Sequence, residues 1–393
     1  MPLGTNVDVV RVANQKLILD LIRQEPISRA ELSDKTGLTR ACITQISGQL
    51  IQMGLIRECD TIATRRGRHP VLLELVPSSR HAIGINIRRS RIHVGITNLV
   101  GELLSEATID SKERPANALC EAAALEARRQ LQALRIPQES LLGVGVCAPG
   151  PMDFQTGTIL HAPRFDAWHD FPLASVLENL LQAPVYLENI SNALALAEKY
   201  YGNAKNYASY LALQVNEGIG GGILLENRLY RGAHGMASEV GHISIEQNGR
   251  PCACGNRGCL ECYASIPAIL SGSSFASWAD LMDALETSPE AQSLLCREAD
   301  ALACALSNVM NLFDLEHIFL LGDIAYKPNA LLTRIAEGMQ SRLFCRKFRG
   351  TSFLSCGAAQ NNALAGAMPC LDHFFRPGTS ASLPSVASKA EHR

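Results

Sequence analysis

No apolar run in this chain reaches membrane-spanning length, and its start, MPLGTNVDVVR, lacks the apolar stretch of a secretory signal. These absences lead us to expect a cytoplasmic protein with no membrane insertion. Net charge is also nearly absent, at −2, but it is unevenly spread. Residues 1–80 carry 11 Lys/Arg against 8 Asp/Glu and the remainder 25 against 30, a basic head on an acidic body. A secreted disulfide framework is missing too. Of the 13 cysteines most stand singly in apolar stretches (Cys42, Cys120, Cys147, Cys304), where a free thiol behaves as a small hydrophobe. Only Cys252 to Cys262 has ligand-like spacing. With 393 residues, 47% of them hydrophobic and 19% charged, the chain can bury more than one core, and two or three compact units are expected.

The first eighty residues read as three helices and a hairpin. Asn14 to Arg23 has a helical apolar stripe at Leu17, Ile18, Leu21 and Ile22 that ends before Pro26. Ser28 can cap a second helix with Glu31 in the capping-box position, and Gly37 ends it in a tight turn. Thr39 can cap a third, with Ile43, Ile46, Leu50 and Met53 inward and Arg40, Thr44, Gln45 and Gln49 outward. This is the helix-turn-helix pattern, and Thr39, Arg40, Thr44 and Gln45 are candidates for reading base edges in a major groove. A small three-helix bundle with a solvated face has the same pattern. The two strands Leu55–Glu58 and Val71–Val76 favour the first reading, because the TRRGRHP stretch between them makes a wing whose Arg65, Arg66 and Arg68 can meet phosphates or a narrow minor groove.

After Pro77 strands alternate with helices. HAIGINI, RIHVGITN and GELLSEATI precede a helix over 116–134 and the strand LLGVGVCAPGP. PVYLENI, a helix over 191–201, SYLALQV, GIGGGILLEN, a long helix over 290–313 and HIFLLGD follow. The pattern predicts an α/β body of two lobes around a cleft.

His242, Cys252, Cys254 and Cys259 form a Cys3His set, and such donors favour tetrahedral, structural Zn2+ with no open position for water. Gly255 and Gly258 let the chain fold back so that Cys259 reaches the same ion. No recognition helix follows, which argues against a DNA-reading finger, and four ligands in one loop argue against a redox pair. Cys262 is a spare thiol.

The succession GVGVCAPGPMD, LENISNALALAE, NEGIGGGILLENRLYRGAHGMASEVGH and CACGNRGCLE resembles the ROK family (repressors, open reading frames and sugar kinases) of the actin-like ATPase superfamily. The resemblance covers residues 11 to about 367, and a winged helix-turn-helix in front is a mark of its repressor branch. It implies an N-terminal winged helix-turn-helix over 1–77, a first lobe of the actin-like domain over 78–190 and a second lobe with the zinc site over 191–375, while the tail over 376–393, rich in Ser, Ala and Pro, reads as disordered. By the same resemblance the family's kinases carry Asp-Ile-Gly-Gly-Thr at the first hairpin, a catalytic Asp after Glu-Asn, and a Gly-Thr-Gly nucleotide loop. Here Asn86, Arg88 and Arg89 replace the acid and both glycines, Ile190 replaces the base, and Glu217 puts a carboxylate where phosphates would sit. Sugar-contacting positions are matched by Asn189, Glu239, His242 and Glu261, although the family's aspartate is missing from that set. The expectation is a non-enzymatic repressor of carbohydrate genes, a homodimer or higher oligomer that binds a double-stranded DNA operator. A sugar, a phosphosugar or a protein partner would control it. The alternative is a sugar kinase with an appended DNA-binding head.

Overall fold

A computed structural model of the chain describes residues 7–59, 70–112, 114–160, 166–344, 352–355 and 362–377. The head consists of α1 (Val7–Gln24), β1 (Ile27–Ser28), α2 (Arg29–Thr36), α3 (Arg40–Gln52), β2 (Ile56–Cys59) and β3 (Leu72–Leu75). The hairpin β2–β3 pairs Ile56 with Leu75 and Cys59 with Leu72, and β1 adds to the other edge of β3. Ile18, Leu19, Ile22, Leu32, Ile43, Ile46, Leu50 and Leu73 close the core from all three helices and the sheet. The winged helix-turn-helix read from sequence is therefore present. The wing tip that carries Arg65, Arg66 and Arg68 lies outside the described residues.

The body repeats one topology twice. In the first sheet β4 (His81–Ile87), β5 (Arg91–Asn98) and β6 (Leu103–Asp110) form an antiparallel meander. Helix α4 (Ala116–Ala133) then leads to β7 (Leu141–Ala148), which pairs parallel to β4. After a small hairpin of β8 (Met152–Asp153) and β9 (Thr158–Ile159) comes α5 (Leu173–Leu181), and β10 (Val185–Asn189) joins parallel to β7. Helix α6 (Ile190–Tyr201) crosses to the second sheet, where β11 (Tyr210–Val215), β12 (Ile219–Leu225) and β13 (Arg228–Leu229) form the meander. The short helices α7 (Glu261–Ala264), α8 (Ile266–Leu270) and α9 (Trp278–Asp283) precede the long α10 (Pro289–Phe313). Strand β14 (His317–Leu321), α11 (Asn329–Gln340) and β15 (Ser352–Ser355) complete the second sheet, its last two strands parallel. The final helix is α12 (Asn362–Phe375).

Every residue of β4 is buried, whereas β6 alternates between half-buried and exposed residues, as a covered strand and an edge strand should. Helices α4 and α5 cover one face of the first sheet through Leu119, Ala123, Ala127, Leu173 and Leu177. The other face takes α12, which ends the chain yet belongs with the first lobe. A lobe boundary at residue 190 thus leaves α12 on the wrong side, because what places it is long-range packing that leaves no periodic mark in sequence. Gly84 and Gly145 in the strands and Gly366 in the helix allow the approach: a Cβ on Gly84 would collide with the Ala363 carbonyl, and one on Gly145 would lie 2.8 Å from the Ala367 carbonyl oxygen. Helices α6 and α12 share a core with Tyr210, Ala212 and Phe319 of the second sheet, whose outer face packs on α10 and α11 through Leu211, Leu213, Leu302, Leu306 and Ile335.

The head is docked on this frame. Phe374 and Phe375 of α12, with Leu99, continue the head's core. Lys16 is fully buried and donates to the His373 carbonyl at 3.1 Å. Burial, with Arg376 nearby and against Asp372, pulls its amine down to about 8.

Gly145→Ala should force α12 off the first sheet and destabilise the body by about 1–3 kcal/mol, the usual range for overpacking. Denaturant unfolding would register it as a lower midpoint at unchanged slope.

Candidate nucleic-acid interface, inter-lobe cleft and metal centre

In the head the local signals act as the sequence predicts. The Ser28 hydroxyl accepts from the Glu31 amide at 3.3 Å while the Glu31 carboxylate accepts from the Ser28 amide at 2.9 Å, a complete capping box. Gly37 closes α2 at φ +71°, and its amide donates to the Ser33 carbonyl. Thr39 Oγ1 caps α3 by accepting from the Cys42 amide. Thr39, Arg40, Thr44 and Gln45 are all exposed on one side of α3. Thr44 donates its hydroxyl back to the Arg40 carbonyl at 2.8 Å, so its methyl and the side chains of Arg40 and Gln45 form the reach of this face. Ala41 and Gly48 are also exposed there, and a Cβ on Gly48 would meet nothing within 4 Å. Sequence reading passed over both, since small residues carry no polar signal. Gln49 is half-buried and bonded to Gln15 of α1, which makes it a brace between helices.

The two lobes enclose a cavity of about 580 Å³. Arg88, Arg89 and Arg91 of the first hairpin line one wall, and Glu217 and Asp323 belong to the second lobe's side. Asn189, Glu239, His242 and Glu261, the four expected ligand contacts, all line it, with Ile190 between. Asn189 is the N-cap of α6: its Oδ1 accepts from the Ser191 amide at 2.8 Å, which leaves the Nδ2 hydrogens for an occupant. Glu261 Oε2 accepts from the Ile219 amide at 3.0 Å and so fixes the turn that carries Glu217 and Gly218. The Glu239 carboxyl opens to cleft solvent, yet the surrounding walls raise its pKa above the ordinary carboxylate value, with His242 opposing and Glu261 assisting.

Asn86 and Arg88, read from sequence as replacing a kinase's acid and glycine, lie buried and half-buried. Asn86 is buried and donates to the Asn362 carbonyl at 3.1 Å, so its amide ties β4 to α12. Burial pulls Arg88 below the usual guanidinium range, against the charges of Cys147, Asp323 and Glu217, and its buried Nε has no hydrogen-bond partner among the described residues.

Beside the cleft, His242, Cys252, Cys254 and Cys259 bring one donor atom each to within 4.8 Å of one another. Cys252 Sγ lies 3.7 Å from His242 Nδ1, and Cys254 Sγ lies 3.8 Å from Cys259 Sγ. Gly255 and Gly258 adopt φ of +90° and +75°, the reversal that returns Cys259 to the group. Without a cation the thiols compete. Burial and the neighbouring thiols push Cys259 up to about 12, while hydrogen bonds from Cys254 and His242 overcome burial and bring Cys252 down to about 7. A bound cation would remove that competition, so the donor set can hold a metal. Cys262 stays outside the group, its Sγ 3.6 Å from the Pro251 carbonyl.

A profile of the ROK family matches residues 82–372. The chain belongs to the ROK family. It is 30% identical to the xylose repressor of Bacillus spizizenii over 375 residues, 93% of this chain and 97% of that protein. It is 32% identical to the DNA-binding transcriptional dual regulator NagC of Escherichia coli, over 67% of this chain and 65% of that one. Among solved structures, a ROK family transcriptional regulator homologous to the Escherichia coli MLC protein superposes with a TM-score of 0.81 at 26% identity, covering 94% of this chain and 98% of that chain. The ROK hexokinase of Thermus thermophilus reaches a TM-score of 0.63 at 28% identity and covers 74% of this chain and 97% of its own. No helix among the described residues is long and apolar enough to cross a membrane.

Replacing Ser28 by Ala should remove one side of the capping box and loosen α2 by about 0.5–2 kcal/mol, the usual loss at an N-cap. Hydrogen exchange of the α2 amides would register the loosening.

Proposed function

We propose that this ROK protein is a DNA-binding transcriptional regulator, a repressor of carbohydrate-related genes. One observation carries the reading: a winged helix-turn-helix with an open polar face on α3 is joined to a body whose cleft bears isoleucine, Ile190, at the position matched to the kinase base. Arg40 and Gln45 suit bidentate contacts to guanine and adenine in a major groove, while Ala41 and Gly48 let the helix approach closely. Thr39 and Thr44 would support that face, and Arg65, Arg66 and Arg68 would contact phosphates or the minor groove. The chain would act as a homodimer whose two heads engage half-sites about 34–36 Å apart on the duplex.

The cleft would take the effector, of sugar type or presented by a protein partner. Asn189 Nδ2 can donate to a hydroxyl, and the Glu239 and Glu261 carboxylates can accept from others. A kinase reading lacks a residue at Ile190 able to accept the hydroxyl proton, and Arg88 with Glu217 occupies the approach that backbone glycines give to phosphates.

We assign Zn2+ to the Cys3His group. Ideal tetrahedral zinc puts two thiolate sulfurs about 3.8 Å apart and a sulfur and a nitrogen about 3.6 Å apart, close to the 3.8 and 3.7 Å separations here. With four protein donors the ion would be structural, supplying order to the loop and no site for water. His242 and Glu261 would then be held at the cleft by the loop that Cys252, Cys254 and Cys259 fold.

Arg40→Ala and Gln45→Ala should each weaken specific DNA by about 1–3 kcal/mol without shifting the melting temperature, as read by titration with duplexes selected from a random pool. Equal affinity of the variants and the parent for those duplexes would overturn the assignment of α3. A coupled ATPase assay across common hexoses and amino sugars should show no turnover, and clear turnover would restore the kinase reading. Chelation should lower the melting temperature by at least about 2–4 °C, the shift that 1 kcal/mol produces in a domain of ~150–250 residues. A melt that chelator leaves unchanged would exclude a structural ion.

A further inference from the structure

We propose that α6 is a lever between the cleft and the DNA-binding head, tensioned by a chain of buried and half-buried polar contacts that runs from Glu188 through Arg231, Asp372 and Tyr200 to Arg23. The inference rests on the reading that the cleft takes an effector and the head binds DNA.

Helix α6 has its two ends in two different places. Its N-cap is Asn189, which lines the cleft, and its last turn carries Tyr200 and Tyr201 against the head. Twelve residues span about 18 Å. At the cleft end Glu188 is 1% exposed, and its Oε1 accepts from the Asn189 amide and from Asn192 Nδ2 at 3.0 and 2.9 Å. Its other oxygen accepts from Arg231 Nε at 2.7 Å. Arg231 then reaches Asp372 of α12 through Nη2 at 3.3 Å. The opposite oxygen of Asp372 accepts from the Tyr200 hydroxyl at 2.8 Å. Arg23 of α1 completes the chain: its guanidinium carbon sits 3.9 Å above the Tyr200 ring, and Nη1 donates to the Tyr200 carbonyl at 2.9 Å. Asp20 pairs with the same guanidinium, whose side chain is 2% exposed.

These links have no graded response. The set is charge-assisted and mostly buried, with 26% of the Arg231 side chain exposed and Arg376 Nε 3.6 Å from Asp372 as a second cation, so stretching a link at Glu188 or Tyr200 strands a polar group away from water and the set keeps its pairing or exchanges it in a discrete step. An occupant that draws on Asn189 pulls the N-cap of α6 and the adjacent Glu188 together. Arg231 must then follow Glu188 or stay with Asp372, and either choice changes the load on Tyr200. Tyr200 faces the helix that leads into the reading head. A purely structural staple would tie the same elements but would carry no signal between the ends.

Coupling is reciprocal, so DNA at the head must be felt at the cleft end of α6 whether or not the effector is known. The test uses the full chain, a duplex recovered by selection from a random pool, and hydrogen–deuterium exchange of the amides at 190–193 with and without that duplex. The parent protein should show a DNA-dependent change there. Tyr200→Phe, which removes one hydroxyl, and Arg231→Gln should reduce the change about 5-fold or more while the duplex still binds. Arg23→Lys, which keeps the charge but loses the planar stack, should act in the same direction and serves if either other variant melts early. A parent whose duplex leaves 190–193 unchanged, or variants that keep the parent's response, would overturn the lever. A parent that forms no complex with any selected duplex would instead overturn the DNA-binding reading beneath it, and the lever with it.

Discussion

Helix α12 lies almost backbone to backbone on β4 and β7, and the rest of the molecule takes its position from that contact. At Gly84, Gly145 and Gly366 main-chain atoms of helix and sheet meet directly, with only the methyls of Ala363 and Ala367 beside them, so backbone contact sets the distance. On its other side α12 meets α6, which backs onto the second sheet through Ala195 and Tyr210. Its C-terminal Phe374 and Phe375 enter the head's core. Both lobes and the head are thus referenced to one helix from the end of the chain. Asn86 of β4 is part of the same arrangement because its amide bonds to Asn362 at the helix start.

Sequence legibility followed the range of the forces involved. The head's second and third helices were readable almost to the residue because their signals are local: Ser28 and Glu31 meet across one turn, Gly37 needs a positive φ, and Thr39 caps the next helix three residues before the amide it accepts, whereas α1 begins at Val7, seven residues before the Asn14 read from its apolar stripe. Strands such as His81–Ile87 and Arg91–Asn98 were marked by their flanking polar turns. The Cys3His group was legible because its four donors fall within eighteen residues and its glycines state how the loop reverses. Arg231, by contrast, bonds Glu188 and Asp372 at separations of 43 and 141 residues, and nothing in a local window announces such partners. The same holds for α12, whose apolar composition is compatible with either lobe.

The cleft shows how charge can remodel an inherited cavity without closing it. A nucleotide pocket needs positive backbone dipoles and room for phosphates. Here Arg88 lines the cavity from the first lobe, and Glu217 and Asp323 are the opposite charges it feels from the second. The polar equipment for a neutral, hydroxyl-bearing molecule remains: a half-used amide at Asn189, and two carboxylates, one anchored by the Ile219 amide and one open to the cleft. Under the proposed reading, recognition of shape and hydroxyl pattern would be separable from recognition of phosphate, because the two would draw on different walls of the cleft.

Two buried glutamates make the energetic case for why the polar chain persists. Glu298 in α10 is fully buried and neither of its oxygens has a hydrogen-bond partner among the described residues, and burial drives its pKa well above the ordinary value, against Arg297. Burial without a partner thus favours its neutral form. Glu188 is equally buried but has three donors arranged on two oxygens, so its ion pair with Arg231 is retained. Such a pair adds little net stability compared with apolar packing, whereas removal of one partner costs about 3–5 kcal/mol by stranding the other. A contact with little net gain and a high breaking cost discriminates strongly between arrangements. That property is poorly suited to holding a core together and well suited to a joint between a cleft and a head, where the number of permitted geometries matters more than the depth of any one of them.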